Sequence, residues 1–122
     1  MNIAIIAGSN RNHSTSTSVL RYMERSLLRR TVSVDFIDLR LTQLPYFSPD
    51  AEMAHPEVER LRQVVRNASG IIFGTPEFHG SVSGLLKNAI DYLDNDIVSG
   101  KPVLGVSAAG GPLGVSSLTH LQ

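Results

Sequence analysis

Short apolar runs alternate with amphipathic stretches along the whole chain. Four of the runs are rich in β-branched residues and end near Gly, Ser or Asp, and they cover residues 3–7, 32–37, 71–73 and 103–106. Continuous apolar runs of this length are typical of strands that are buried on both faces of a parallel sheet. We therefore predict one strand at each of these four runs.

Between the strands, apolar residues recur at steps of three and four, which predicts amphipathic helices. The three stripes are Val19, Leu20, Met23, Leu27 and Leu28; Val58, Leu61, Val64 and Val65; and Leu85, Leu86, Ala89, Ile90 and Leu93. Pro56 and Ser83 are suitable residues to start the second and third helices, and a fourth helix is expected near Val115. Regular alternation of strand and helix favours right-handed crossovers, so we predict a doubly wound α/β domain with helices on both faces of the sheet.

Composition narrows the class of protein. The chain has 122 residues, 42% hydrophobic and 18% charged, which suits a single globular domain over residues 1–122. Eleven basic and eleven acidic residues balance, so there is no electrostatic footprint for nucleic acid or an anionic membrane, and any anion must be held locally.

The composition also excludes several kinds of site and of targeting segment. The absence of cysteine removes disulfides, thiolate metal sites and cysteine nucleophiles, and His55 and His120 show no ligand pattern, so no metal site is expected. The first apolar run is too short to span a bilayer and lacks the features of a signal peptide, so a cytoplasmic location is the default expectation.

One connection is much longer than the usual length of about 4–6 residues. It runs from Leu39 to His55 and carries two prolines and two aromatic residues between positions 45 and 49. We predict a partner-facing or site-covering loop here.

The segment AGSNRNHSTSTS follows the first predicted strand and opens the first helix. Its single glycine, Gly8, does not satisfy the dinucleotide pattern G-x-G-x-x-G, and the lysine of a nucleotide triphosphate loop is absent. Hydroxyl groups, Arg11 and the N-terminus of a helix together favour a phosphate monoester. The alternative is that the hydroxyl groups only cap the helix.

Four motifs carry a resemblance to a known family: GSNRNHSTS, TPEFHGSVSG, LLKNAIDYL and SAAGG. On these motifs the sequence resembles the NADPH-dependent FMN reductases of the flavodoxin-like superfamily, a group that includes flavin-dependent quinone, azo-dye and chromate reductases. The second motif is the most specific, and the resemblance extends over nearly the whole chain.

This resemblance implies a three-layer α/β/α sandwich in which the parallel sheet has the order 2-1-3-4-5. Only four strands can be counted before the final SSLTHLQ, so we expect the order 2-1-3-4, with the family's fifth strand missing and the chain truncated at its C-terminus.

The resemblance also implies an FMN site built from three loops. The implied phosphate ligands are Ser9, Arg11, Ser14, Ser16 and Thr17; the ring would be bordered by the turn residues Pro76, Glu77, Phe78, His79 and Gly80, and by Ser107, Gly110 and Gly111 of the loop after the fourth strand. Glycine at positions 80, 110 and 111 would allow close approach or a positive φ.

Three side chains of the turn have more than one interpretation. Phe78 either contacts the flavin or packs on the scaffold, and His79 suits hydrogen bonding better than proton transfer. For Glu77 we predict a structural ion pair with Lys87, within the chain or across a dimer. A fully solvated Lys87 is an equal alternative.

The function implied is an FMN-dependent NAD(P)H oxidoreductase. It would pass hydride from NADPH or NADH through bound FMN to a quinone, azo compound, free flavin or similar acceptor, with no catalytic side chain, in a homodimer or homotetramer. The alternative is a flavin-binding electron carrier or an inactive remnant without efficient turnover. The sequence leaves open both the acceptor and the choice between NADPH and NADH.

Overall fold

The computed structural model describes residues 1–50, 55–111 and 114–122, which contain four strands and five helices. The strands are β1 (Asn2–Ala7), β2 (Ser33–Asp38), β3 (Gly70–Pro76) and β4 (Val103–Ala108). The helices are α1 (Thr15–Arg29), α2 (Pro56–Asn67), α3 (Gly84–Asp91), α4 (Asn95–Val98) and α5 (Val115–His120). None of these helices is long and apolar enough to cross a membrane.

The four strands form one parallel sheet in the order β2-β1-β3-β4, which confirms the predicted order. In the register of the sheet, Ile5 of β1 lies between Phe36 of β2 and Ile72 of β3. Ala7 and Gly74 are paired at the carboxyl ends of β1 and β3. The connections that leave these two neighbouring strands therefore begin side by side, at the edge where doubly wound folds bind ligands.

Alternate residues of the strands pack into two apolar layers, one on each face of the sheet. Ile5 and Ala7 pack with Leu20 of α1 on one face of the sheet. Ile6, on the other face, belongs to a larger cluster that includes buried residues of α2, α3 and α4. Leu121 after α5 packs against this second cluster as well. The result is the predicted sandwich of helix, sheet and helix layers.

The structure differs from the sequence-based expectation in the length of two strands and in one helix. β4 continues to Ala108 instead of ending at Val106. β3 continues to Pro76 instead of ending at Phe73. The two residues after Phe73 fit the buried strand although they are not large and apolar: Gly74 leaves room for the Leu20 side chain, and the Thr75 side chain is buried. The short helix α4 was not predicted, since four residues are too few to show a helical period.

The described part of the long connection, residues 39–50, is attached to α3 and the residue that follows it. Asn88 Nδ2 and Tyr92 Oη both donate to the carbonyl of Pro45, at 3.0 and 2.7 Å, and the Phe47 ring meets the Tyr92 ring edge-on. Tyr92 is buried, and this burial raises the pKa of its phenol above the ordinary value. Positions 51–54 of the connection lie outside the described residues. A partner-facing or site-covering role for this loop stays a prediction.

Candidate functional site

The loop after β1 is held in shape by its own hydroxyl groups. Ser9 is buried, and its Oγ accepts a hydrogen bond from the backbone N–H of Arg11 at 3.2 Å. Ser14 is the N-cap of α1, and its Oγ accepts from the N–H of Thr17 at 3.3 Å. The Oγ atoms of Ser14 and Ser16 are 2.9 Å apart and share a hydrogen bond. The hydroxyl groups therefore do cap α1, which was the alternative interpretation of this loop.

Capping does not use all of these hydroxyl groups. Each serine hydroxyl has one hydrogen to donate. Ser9 acts only as an acceptor in the described structure, and the Ser14–Ser16 pair uses one of its two hydrogens. Two O–H donors, that of Ser9 and one of the Ser14–Ser16 pair, thus have no acceptor among the described residues. The second of them lies at the start of α1, where the first backbone N–H groups of a helix also lack partners.

Ser83 fastens this loop to the turn after β3. Its Oγ donates to the carbonyl of Gly8 and accepts from the N–H of Leu86 at 3.0 Å, so that one hydroxyl caps α3 and binds the first loop. Its backbone N–H donates to Thr75 Oγ1 at 2.9 Å. Ser83 was predicted only as a cap. Its contact with Gly8 depends on the adjacency of β1 and β3.

The turn after β3 is a tight hairpin-like reversal. Phe78 and Ser81 exchange two backbone hydrogen bonds of 2.9 and 3.1 Å. The two residues between them, His79 and Gly80, have φ angles of 51° and 77°. Positive φ at both central positions defines a type I′ turn. The conformational role predicted for Gly80 is confirmed. The described Gly110 and Gly111, by contrast, neither have such a φ nor lie within 4 Å of an atom that a Cβ would meet.

Glu77 binds the start of α5 rather than Lys87. Its Oε1 accepts from the backbone N–H of Ser117 at 3.0 Å and from the Ser117 hydroxyl at 3.2 Å. Lys87 pairs with Asp91, one turn along its own helix, at 2.5 Å. The predicted ion pair within the chain is therefore wrong. The backbone N–H groups at the start of α5 lie close to the turn, and a carboxylate is stabilised there by the helix dipole.

A second contact joins α5 to the same turn. Ser81 Oγ lies 2.7 Å from His120 Nδ1. Neither Ser117 nor His120 was recognised as structurally important from the sequence. A signal for Ser117 was present, since the first turn of α5 contains no acidic residue of its own and its N–H groups need an acceptor from elsewhere.

The three loops enclose one cavity at the carboxyl edge of the sheet. Seven predicted site residues line it: Ser9, Arg11, Ser14, Ser16, Pro76, Phe78 and Gly110. Thr15, Ala108 and Ala109 also line it and were not predicted. The cavity has a hydroxyl-rich end with one guanidinium, and an end formed by a proline, an aromatic ring and small residues. Its volume of about 170 Å³ is below the range of about 300–1,000 Å³ that encloses a drug-sized ligand, so a larger molecule would extend onto the open surface.

The other predicted site residues do not line this cavity. They are Thr17, Glu77, His79, Gly80, Ser107 and Gly111. The Ser107 hydroxyl is buried without a hydrogen-bond partner in the described structure, and it lies 3.2 Å from where a Cβ on Gly114 would be. A contact of any of the thirteen predicted residues with a flavin stays a prediction.

The fold and the position of this cavity define a flavodoxin-like protein whose first loop meets two others at the carboxyl ends of β1, β3 and β4. The family model described as NADPH-dependent FMN reductase matches residues 1–121. The chain therefore belongs to the NADPH-dependent FMN reductase family.

Individual relatives agree with this assignment. The chain is 32% identical to an FMN-dependent NADPH-azoreductase of Staphylococcus aureus, over 97% of this chain and 65% of that protein. The structure resembles the apo form of an NADH:FMN oxidoreductase (EMOB), with a TM-score of 0.82, 26% identity, and coverage of 98% of this chain and 64% of that one. The flavoenzyme FerB of Paracoccus denitrificans, an NAD(P)H:(acceptor) oxidoreductase, has the same fold with a TM-score of 0.82 at 24% identity, over 98% of this chain and 68% of that one. The chain thus spans slightly less than two thirds of the length of the curated relatives it matches.

Proposed function

We propose that the chain binds FMN in the three-loop cavity and serves as an NAD(P)H-dependent oxidoreductase. The proposed electron acceptor is a quinone, an azo compound, a free flavin or a similar small molecule. The observation that carries the proposal is the meeting of a hydroxyl- and arginine-bearing loop with the Pro76–Phe78 and Ala108–Gly110 segments in one cavity.

The hydroxyl-rich end suits the phosphate of FMN. Ser9 and the Ser14–Ser16 pair each have an O–H left to donate, and Arg11 adds a full positive charge. Charge-assisted hydrogen bonds of this type are the strong ones in proteins. The described lining residues include no carboxylate that would repel a dianion.

The opposite end suits a flat ring with a polar rim. Pro76 and Phe78 supply apolar surface, and Phe78 is 43% exposed, which leaves an open side. A Cβ on Gly110 would have no described atom within 4 Å, so the space beside this residue is open. A ring held here would keep one face accessible to small molecules.

Bound FMN would supply hydride acceptance from NAD(P)H and electron delivery to the acceptor. The side chains of this chain would bind, orient and limit access. The Glu77 carboxylate accepts a hydrogen bond from the start of α5, and Lys87 forms an ion pair with Asp91. These contacts support a mechanism without a side-chain acid or base. The alternative of an electron carrier without turnover is not favoured, since the matched relatives are named as reductases. The expected homodimer or homotetramer is retained as a prediction.

The proposal is tested by titrating the protein into FMN and following flavin fluorescence. Arg11→Ala should weaken FMN binding about tenfold or more, because a charged hydrogen bond to phosphate contributes about 1.5–3 kcal/mol. The measurement should be repeated with riboflavin, which lacks the phosphate, and Arg11→Ala should leave that affinity nearly unchanged.

Arg60→Ala is the matched control, because Arg60 is an exposed arginine on α2 outside the cavity. Equal FMN affinity for the wild type and Arg11→Ala would contradict the phosphate assignment. A wild-type chain that binds no FMN would contradict the whole proposal. Anaerobic addition of NADPH to the FMN complex should bleach the flavin absorption, which tests the reductase step separately.

A further inference from the structure

A second cavity lies where α3, α4, β4 and the end of α5 meet. We call it the α3–α5 cavity, and its volume is about 720 Å³, within the range of about 300–1,000 Å³ that encloses a small organic molecule. Among the described residues, none lines both this cavity and the three-loop cavity. Its walls are mostly apolar and include Val82, Ile90, Leu93, Val98 and Leu121. An apolar molecule bound here would therefore occupy a site separate from the proposed FMN site.

Two polar side chains that line this cavity, Ser81 and His120, are bonded to each other. Ser81 Oγ lies 2.7 Å from His120 Nδ1. In the tautomer with its hydrogen on Nε2, the imidazole accepts the Ser81 O–H at Nδ1. A serine hydroxyl within hydrogen-bond reach of a neutral imidazole is the arrangement that activates serine as a nucleophile. The cavity thus contains a nucleophile and its base.

The two members of this pair come from different segments, and each segment is fixed by other contacts. Ser81 exchanges backbone hydrogen bonds of 2.9 and 3.1 Å with Phe78 across the tight turn. His120 lies on α5, whose start is bonded to Glu77. The Ser81–His120 bond also joins the turn to α5, but the Glu77 carboxylate already joins the same two segments. The pair is therefore held in place by its surroundings and faces a cavity that a molecule can enter.

Groups that suit the charges of an acyl transfer lie around the same cavity. His120 becomes cationic when it takes a proton, and it lies in the last turn of α5, where a helix favours positive charge. An attacked carbonyl oxygen becomes anionic and requires donors. Lys87 lines the cavity and has hydrogens beyond the one that it donates to Asp91. Gly84 also lines it, and its N–H, at the first residue of α3, has no acceptor within its helix.

We propose that the α3–α5 cavity is an esterase site in which Ser81 is the nucleophile and His120 the general base. The substrate class is a carboxylic ester with a linear apolar acyl chain, because the walls that would hold the chain are mostly apolar. This activity goes beyond the proposed flavin chemistry and needs no FMN.

The reaction has two steps. In the first, Ser81 Oγ forms a bond to the ester carbonyl carbon as its proton passes to His120 Nδ1. The bond from that carbon to the alcohol oxygen then breaks, and the alcohol leaves with the proton. In the second step, water attacks the acyl-serine while His120 takes its proton. The acyl–Oγ bond breaks, Ser81 Oγ regains a proton, and a carboxylic acid leaves.

The test measures hydrolysis of p-nitrophenyl acetate and p-nitrophenyl octanoate by the 122-residue protein. Each buried methylene improves binding about fourfold, so kcat/KM should be about tenfold or more higher for the octanoate. Ser81→Ala and His120→Gln should each lower that value about 100-fold or more, because they remove the nucleophile and the base. The glutamine oxygen can still accept from Ser81, so His120→Gln removes the base without removing a hydrogen-bond partner.

Ser99→Ala is the matched control, because Ser99 is an exposed serine after α4 that does not line the cavity. Exposed histidines hydrolyse activated esters slowly without forming an acyl-serine, so a covalent readout is needed as well. A fluorophosphonate with an octyl chain should add once to the wild type, at Ser81, as seen by intact mass and peptide mapping. Labelling should be slower in His120→Gln.

Equal octanoate hydrolysis by the wild type and Ser81→Ala would overturn the inference. Wild-type rates in His120→Gln, or the absence of a fluorophosphonate adduct at Ser81 in the wild type, would overturn it too. The labelling of the wild type remains decisive if a variant fails to fold. Hydrolysis should be equally fast with and without FMN, so a chain that bound no FMN would contradict the proposed function and leave this test intact.

Discussion

At the scale of single residues, small side chains decide how closely the loops of the site approach one another. A Cβ on Gly8 would lie 2.8 Å from the carbonyl oxygen of Gly74 and 2.8 Å from the Cβ of Leu86. Gly8 N donates to that same carbonyl at 2.8 Å. The first loop can therefore lie against β3 and α3 only because residue 8 has no side chain.

Gly74 provides the first residue-scale prediction. A Cβ at this position would lie 2.3 Å from Leu20 Cδ1, and Leu20 is fully buried. Gly74→Ala should lower the free energy of unfolding by about 1–3 kcal/mol, as overpacking of a filled core does. Urea denaturation measures this change.

Gly84→Ala is the control for that measurement, because a Cβ there meets no atom within 4 Å and the residue is helical. Its unfolding free energy should stay equal or rise by up to about 1 kcal/mol. If the two variants were equally stable, the packing of Leu20 on β3 described above would be wrong.

At the scale of elements, α5 is stabilised by a residue that lies about forty positions earlier. Gly114 is its N-cap and offers no side-chain hydrogen bond. The Glu77 carboxylate accepts the Ser117 N–H instead, and Glu77 N donates to the carbonyl of Ala108 at 3.0 Å. One residue thus joins the turn, the end of β4 and α5.

Glu77→Ala should loosen α5 without unfolding the sheet. The loss of a helix cap costs about 0.5–2 kcal/mol, so amide hydrogen exchange should accelerate about 2- to 30-fold within α5. Glu77→Gln is the matched variant, since its amide oxygen still accepts both hydrogen bonds, and it should exchange at a rate between those of the wild type and Glu77→Ala. Unchanged protection of α5 in Glu77→Ala would contradict the capping role.

At the scale of the whole molecule, the outer side of β4 is the most apolar exposed strand surface. Within the described ranges β4 pairs only with β3, and Val103 and Leu104 are each 49% exposed. These neighbours point to opposite faces of the sheet, so both faces of the edge carry apolar surface. Exposed apolar strand edges favour pairing with another chain.

The 122-residue chain on its own should therefore self-associate as its concentration rises. Leu104→Lys should shift it towards the monomer in analytical ultracentrifugation, because a lysine on an edge strand opposes pairing. Leu28→Lys makes the same change at a leucine of α1 that is 52% exposed. Equal shifts for both variants would mean that general hydrophobicity, rather than the β4 edge, drives association.

The sequence predicted much of this architecture, and for a physical reason. Burial on both faces of a parallel sheet requires continuous apolar strands, and helices that cover a sheet require an apolar stripe. Both requirements are local in the chain, so the strand sites, the three long helices and the helix near Val115 could be recognised. The family motifs added the order of the strands and the three loops that line the cavity.

What the sequence determined by itself was therefore the elements, their order and the kinds of residue at the site. Tertiary structure alone decided the partner of Glu77, the double role of Ser83 and the pairing of Ser81 with His120. Each of these depends on which segments become neighbours when the strands pair. Hydrogen bonds between distant segments leave no period in the sequence, because they arise only from the packing of complete elements against one another.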